Sequence, residues 1–311
     1  MGAEIVDFLD KDALSYLGNI IWEKIDNLEN DDLIESLNVL NKIYKRKKFK
    51  SFDEIIYLCS TKLKKGDKKA KRMIFKFLSN VIKSNLSQAT NFNRLEFMRI
   101  CFEATDCLTE VGEKSRRVII DFVKTVGRFV NLQDLVDVFL IKLYESENYK
   151  GLIEVLAEIS TKYGLFYVLP KILIKYEITS YSVRLRICKF LIEFIKLKNS
   201  IEEKYFATVI TLIEDLILDK ELEMRKSALK LISALVNTLA PPTIRTDIII
   251  HLLNLSWFCV LDEIEFDECW ECFMKTLGPD VLVKYLLQGL YHPNKKIRSK
   301  YENLYQKLVF N

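Results

Sequence analysis

Apolar residues recur along the chain at intervals of three and four, as in Val118, Ile119, Phe122, Val123 and Val126 and again in Ile187, Phe190, Leu191 and Phe194. That spacing puts them on one face of an α-helix. No stretch alternates apolar and polar residues convincingly over the length of a strand. The stripes predict about sixteen helices arranged in pairs. First helices are expected near 11–26, 51–64, 93–109, 132–145, 165–176, 201–218, 243–257 and 280–291. Second helices are expected near 30–45, 67–84, 113–128, 147–163, 180–197, 221–239, 260–277 and 294–309.

The second helices open alike: "AKRMI" (70–74), "SRRVI" (115–119), "VRLRI" (183–187), "MRKSA" (224–228) and "IRSKY" (297–301). Their common basic position holds Lys71, Arg116, Arg184, Arg225 and Arg298, with wider gaps where pairs around Lys150 and Asp262 lack the signature. Two helices per unit, a period near 37 residues and a basic residue heading the second helix form the pattern of HEAT repeats. The expected fold is all-α, a HEAT-repeat α-solenoid of about eight helical hairpins forming a curved superhelix. It covers residues 1–311 as a single array with repeats at 11–45, 51–84, 93–128, 132–163, 165–197, 201–239, 243–277 and 280–309. A pair alone leaves an apolar face bare, so stacking on neighbours stabilises it. Second helices usually line the concave side.

Length supports this, since 311 residues exceed the usual span of one compact core. Glycine (9) and proline (5) are scarce, and Pro241, Pro242, Pro279 and Pro293 fall in gaps between helical patterns. The start, "MGAEIVDFLDKD", is acidic where a signal peptide needs a basic end, and Val6 stands where myristoylation wants Ser or Thr. "IIIHLLNL" is too short and too interrupted to span a bilayer, so a soluble, intracellular protein with no membrane partner is expected. Seven scattered cysteines suit a reducing compartment and small apolar core positions.

Charge is uneven. Between Lys42 and Arg72 there are thirteen Lys and Arg against three acids, a local +10 that leaves about −6 elsewhere from the net +4. This either marks a polyanion partner or a solvated face. Within it, Lys47 and Lys48 of "YKRKKFK" belong to a nuclear import signal, a phosphate-contacting loop or a solvated loop. Lys68, Lys69 and Lys71 of "KKGDKKAKR" are placed to track an RNA backbone if they face the concave side. "HPNKKIR" (292–298) is expected to begin a helix at Pro293 with its cations exposed.

Catalytic chemistry is missing. His251 and His292, the only histidines, sit in different pairs, so no Ser/His/Asp or Cys/His set can be assembled. "CWEC" (269–272) has neither a βαβ setting nor further ligands, and reads as two helical core cysteines. No phosphate-binding glycine loop occurs. No enzyme, catalytic residue, metal or cofactor is expected.

The blocks "LEFMRICFEATDCL" (95–108), "SRRVII" (115–120), "YVLPKILIKYE" (167–177), "LIEDLILDKELEMRKSA" (212–228) and "LGPDVLVKYLLQGLYHPNKKIRSKYENLYQKL" (277–308) are similar, in order and spacing, to the C-terminal HEAT repeats of the splicing factor 3B subunit 1 family. The resemblance runs from about residue 15 onward and implies a nuclear, non-catalytic scaffold of the U2 small nuclear ribonucleoprotein (snRNP), longer than this chain. It implies that the rod closes around the U2 RNA and intron branch-site duplex in pre-mRNA splicing. The bulged adenosine is held between repeats in a pocket that small splicing inhibitors also use. Implied partners are the other splicing factor 3B subunits, a small zinc-binding one and a β-propeller among them.

The implied pocket wall maps onto Leu108, Arg116 and Arg117, with Ile120 replacing another aliphatic residue. Where the family has a lysine, this chain has Glu113, which Lys114 offsets. By helix geometry Arg116 shares a stripe with Ile120 and Val123, while Arg117 lies with Asp121 and Lys124. Arg116 reads as an inter-repeat ion-pair position, as an RNA contact, or as both, and Arg117 breaks the repeat pattern and points to function. The competing class is a protein-only HEAT adaptor of the transport-receptor or phosphatase-scaffold type, with no RNA contact.

Overall fold

The computed structural model describes residues 6–28, 30–85, 94–110, 112–178, 180–239, 246–261 and 263–310. Among them are sixteen α-helices and no strand. In chain order they are α1 (Lys11–Lys24), α2 (Asn30–Arg46), α3 (Phe52–Lys65), α4 (Lys68–Ser84), α5 (Arg94–Glu110), α6 (Glu113–Val126), α7 (Leu132–Glu145) and α8 (Lys150–Tyr163). They continue as α9 (Leu169–Ile178), α10 (Tyr181–Lys198), α11 (Phe206–Ile217), α12 (Leu222–Thr238), α13 (Thr246–Ser256), α14 (Glu263–Leu277), α15 (Pro279–Gly289) and α16 (Lys295–Phe310). The fold is all-α and HEAT-like, and the predicted helices stand within a few residues of their expected bounds.

Local chemistry sets those bounds. Asp10, Ser51, Asp67 and Asn131 cap α1, α3, α4 and α7 by accepting hydrogen bonds from first-turn backbone N–H groups. The helix predicted from Pro293 instead begins at Lys295. Asn294 Oδ1 accepts from the Lys296 N–H at 2.9 Å, and Pro293 stays in the preceding turn. Pro279 is the opposite case: it opens α15 directly rather than lying in a gap, because a first-turn N–H has no intrahelical partner to lose.

The chain divides into two compact units, Met1–Lys175 and Tyr176–Asn311. In the first, α2, α4, α6 and α8 stack one on the next, and α3, α5 and α7 form a second layer. Phe75 of α4 and Phe122 of α6, both fully buried with ring centroids 5.1 Å apart, join two second helices. In the second unit α10, α12 and α14 stack in the same way. There Trp257 packs on Tyr301 at 4.4 Å and on Trp270 at 5.5 Å, and Gly289 makes room for the Tyr301 ring.

The shared basic position at the head of second helices has a structural use. Arg225 donates to the carbonyls of Asp219 and Lys220 at 3.1 and 3.0 Å, and Arg298 donates to those of His292 and Pro293 at 2.7 and 2.8 Å. In both cases the arginine satisfies carbonyls just past the end of the preceding first helix, groups that no helical N–H can reach. Polar ties also run between neighbouring repeats at repeat-length separations: Lys83 with Asp121, Lys124 with Glu158, Lys142 with Asp106, Lys171 with Asp137, and Lys300 with Asp267.

All seven cysteines are free thiols, and only Cys272 is not buried. The "CWEC" reading therefore holds for Cys269 and needs correction for Cys272, which lies half-exposed near the Asn237 amide at 3.7 Å. Burial pushes the Cys101, Cys188 and Cys269 thiols up to about 12 from an ordinary 9.0 and raises Cys59 as well. A thiol-specific chromogenic reagent near neutral pH is expected to modify Cys272 rapidly and the other six only on unfolding. The unfolded chain gives up thiol protons that the folded chain keeps, so stability is full below pH 9 and declines as pH rises toward 12. Denaturant midpoints that stay flat between pH 8 and 11 would contradict this.

Candidate nucleic-acid interface

The head of α6 fixes four of the five residues of the expected pocket. α6 starts after Gly112, which offers no side-chain cap, so Glu113 in the first turn is the local acid facing the positive helix end. Arg116 crosses to α8, where Nε lies 3.1 Å from Glu154 Oε2, both side chains largely buried at 14% and 23% exposure. The repeat lacking the basic signature thus carries, 38 residues on, the carboxylate that pairs with Arg116. Gly151 permits the approach, for a Cβ there would lie 2.6 Å from the Leu108 carbonyl and 2.9 Å from Arg116 Cδ.

Leu108 is 1% exposed, so the apolar wall expected of it lies beneath the surface. Leu108 and Arg116 meet at Gly151, and Ile120 is half-buried one turn further along α6. Arg117 is 78% exposed and donates from Nη2 to Glu113 Oε1 at 2.6 Å. Lys114 is exposed beside it. The structure therefore divides the two arginines: Arg116 is the inter-repeat tie, and Arg117 is the exposed cation, partly neutralised by Glu113.

The basic region of the sequence resolves into two sites rather than one patch. Lys47 pairs with Asp12 at 3.5 Å, and Lys48 donates to Asn85 Oδ1 at the C-terminal end of α4. Lys68 and Lys69 lie at the opposite end of α4, about 25 Å away along a helix of 17 residues. Lys71 packs its methylenes beside the Gly66 turn and does not line the same space as Lys68 and Lys69.

Lys68 and Lys69 instead open onto a cleft of about 510 Å³ between the heads of α2, α4 and α6. Arg72 and Lys76 join them on the α4 wall, and Asp31, Ile34 and Asn38 form the α2 wall. Met73 lies between the walls, and Gly112 and Ser115 close the end at α6. Arg72 and Lys76 were missed as site residues. Their spacing was the available signal: Arg72 lies three residues and Lys76 seven after Lys69, four from each other, which aligns all three on one helix face. Such like charges repel one another by about 0.2–0.5 kcal/mol per exposed pair, at a helix end already positive. Among the described residues Lys69, Arg72, Lys76 and Lys114 make no ion pair, whereas Lys83 and Lys124 further down the same helices are paired. Among those residues, too, no cluster of His, Cys, Asp and Glu is placed to hold a metal ion, and no helix is long and apolar enough to cross a membrane.

A stacked array of helical pairs, with exposed cations that make no ion pair among the described residues on two of its second helices, defines a HEAT-like protein with a basic cleft. Comparison with known proteins narrows the class. Over 217 residues, 68% of its length, the chain is 25% identical to the U2 snRNP component prp10 of Schizosaccharomyces pombe, and over 129 residues, 40% of its length, it is 26% identical to the U2 snRNP component HSH155 of Saccharomyces cerevisiae. It spans 18% and 13% of those two relatives, and no family profile matches it. The chain is similar to splicing factor 3B subunit 1, on the blocks of its sequence and on these relatives alike.

Proposed function

We propose that the chain is a non-catalytic, RNA-binding scaffold component of the U2 snRNP, working in the nucleus in pre-mRNA splicing. The single observation that carries RNA contact is the row of unpaired cations, Lys69, Arg72, Lys76 and Lys114, on adjacent second helices. The relatives' names carry the particle. On the finer reading, the head of α6 contacts the U2 and branch-site duplex around its bulged adenosine. Arg117 and Lys114 approach phosphates, Arg116 and Leu108 hold the inter-repeat junction in shape, and Ile120 offers an aliphatic edge to an unstacked base. A small zinc-binding subunit and a β-propeller subunit of splicing factor 3B complete the assembly.

The layer of first helices supports protein contacts as well. Tyr57, Phe102 and Ile141 stand exposed on α3, α5 and α7, one large apolar side chain per repeat. An adaptor that never touches RNA would use this layer and leave the cations idle.

Binding to a duplex with one bulged adenosine tests the reading. Arg117→Glu is expected to weaken it about tenfold at low salt, and Glu113→Gln, which releases Arg117, to strengthen it a few-fold. Unchanged binding in both variants, with intact circular dichroism, would remove α6 from the interface.

A further inference from the structure

We infer that the cleft between α2, α4 and the head of α6 seats one unpaired nucleotide of RNA, a site distinct from the α6 and α8 junction. The inference rests on the RNA-binding reading above and deepens it. At about 510 Å³ the cleft falls within the range of roughly 300–1,000 Å³ typical of small-ligand sites.

Its two walls differ in chemistry. Lys69, Arg72 and Lys76 give the α4 wall a strip of cations matched to phosphate oxygens. The α2 wall presents half-buried Ile34, with Asp31 one turn before it and Asn38 one turn after, and buried Met73 lies between. A duplex backbone would bring only phosphates and sugars, leaving Ile34 and Met73 against charged oxygens. An acidic or phosphorylated peptide would satisfy the cations and meet repulsion from Asp31, which makes no ion pair among the described residues. An unpaired nucleotide matches both walls. Its phosphate lies on the cations, its base face on Ile34 and Met73, and its edge against Asp31 and Asn38.

A carboxylate only accepts hydrogen bonds, so Asp31 favours a base with an exocyclic amino group, as in carboxylate recognition of cytosine N4. Cytosine is therefore preferred to uracil, a pair of equal size that separates hydrogen bonding from stacking.

The test uses the full chain with short oligocytidylate and oligouridylate at low salt, read by anisotropy and by ultraviolet crosslinking. Oligocytidylate is expected to bind several-fold tighter, with crosslinks in peptides holding Ile34 and Met73. Arg72→Glu should weaken both ligands about tenfold. Asp31→Asn, an exposed change that spares the fold, should bring the ratio close to unity. Crosslinks confined to α6, with none in peptides holding Ile34 or Met73, or Arg72→Glu without effect while Arg117→Glu abolishes binding, would overturn the cleft and leave the RNA reading standing. Displacement of the oligonucleotides by a phosphoserine peptide of higher affinity would also overturn it. No binding of any RNA, bulged duplex included, would take down the RNA reading and the cleft together.

Discussion

Charge reversal at Lys69, Arg72 and Arg117 together is expected to reduce RNA affinity by roughly a hundredfold or more at low ionic strength. The triple variant should leave the helical spectrum unchanged, because Lys69 and Arg72 make no ion pair among the described residues and Arg117 makes only an exposed one with Glu113. The origin of the loss is counterion release. Each phosphate neutralised on single-stranded RNA contributes about −0.7 to the slope of log affinity against log salt, and three lost contacts flatten that slope by about two. The slope is the more diagnostic measurement, since a merely misfolded variant loses affinity at every salt concentration alike. A variant whose affinity fell while its slope stayed at the wild-type value would show that these side chains do not meet phosphates.

Phe122→Ala is expected to destabilise the first unit by about 3–5 kcal/mol, the usual cost of emptying a buried aromatic site. Phe122 is fully buried against Phe75, and its removal opens a cavity between α4 and α6, the two helices whose heads carry the cations. In a stack where each pair contacts only its neighbours, that interface supports everything on either side of it. Thermal unfolding should shift down by about 10 °C, at roughly 2–4 °C per kcal/mol for a unit of this size. Phe122→Leu, which retains most of the volume, should recover more than half of the loss. Equal loss in both variants would mean that the aromatic contact rather than the filled space matters.

Much of the architecture was legible in the residues. The stripe Ile119, Phe122, Val123 and Val126 is buried as its spacing predicts, and Ile187, Phe190, Leu191 and Phe194 are buried likewise, because helical period is dictated by which side faces the neighbour. Val118, at the edge of its stripe, is only half-buried. The conserved look of Lys71, Arg116, Arg184, Arg225 and Arg298 concealed different jobs. Arg225 and Arg298 satisfy turn carbonyls, Arg116 ties α6 to Glu154, and Arg184 lies 3.6 Å from Asp219 and over the Tyr176 ring. No single helix shows which acid stands opposite, since that depends on a residue one repeat away. For the same reason the burial of Leu108 was illegible: it follows from the missing side chain of Gly151, three helices later. Arg72 and Lys76 were hidden by the reverse problem, a run so basic that no member stood out until the α2 wall showed which side faces the cleft.

The charge ties between successive second helices join residues 38 apart in Arg116 and Glu154 and in Lys83 and Asp121. A residue added inside α6 would turn every later side chain of that helix by about 100° and carry Asp121 and Lys124 away from their partners on both sides. The same residue added in the turn after Val130 would leave each tie where it is. Length variation in such a chain is therefore tolerated in the turns and forbidden within the helices, whatever the polarity of the residue gained.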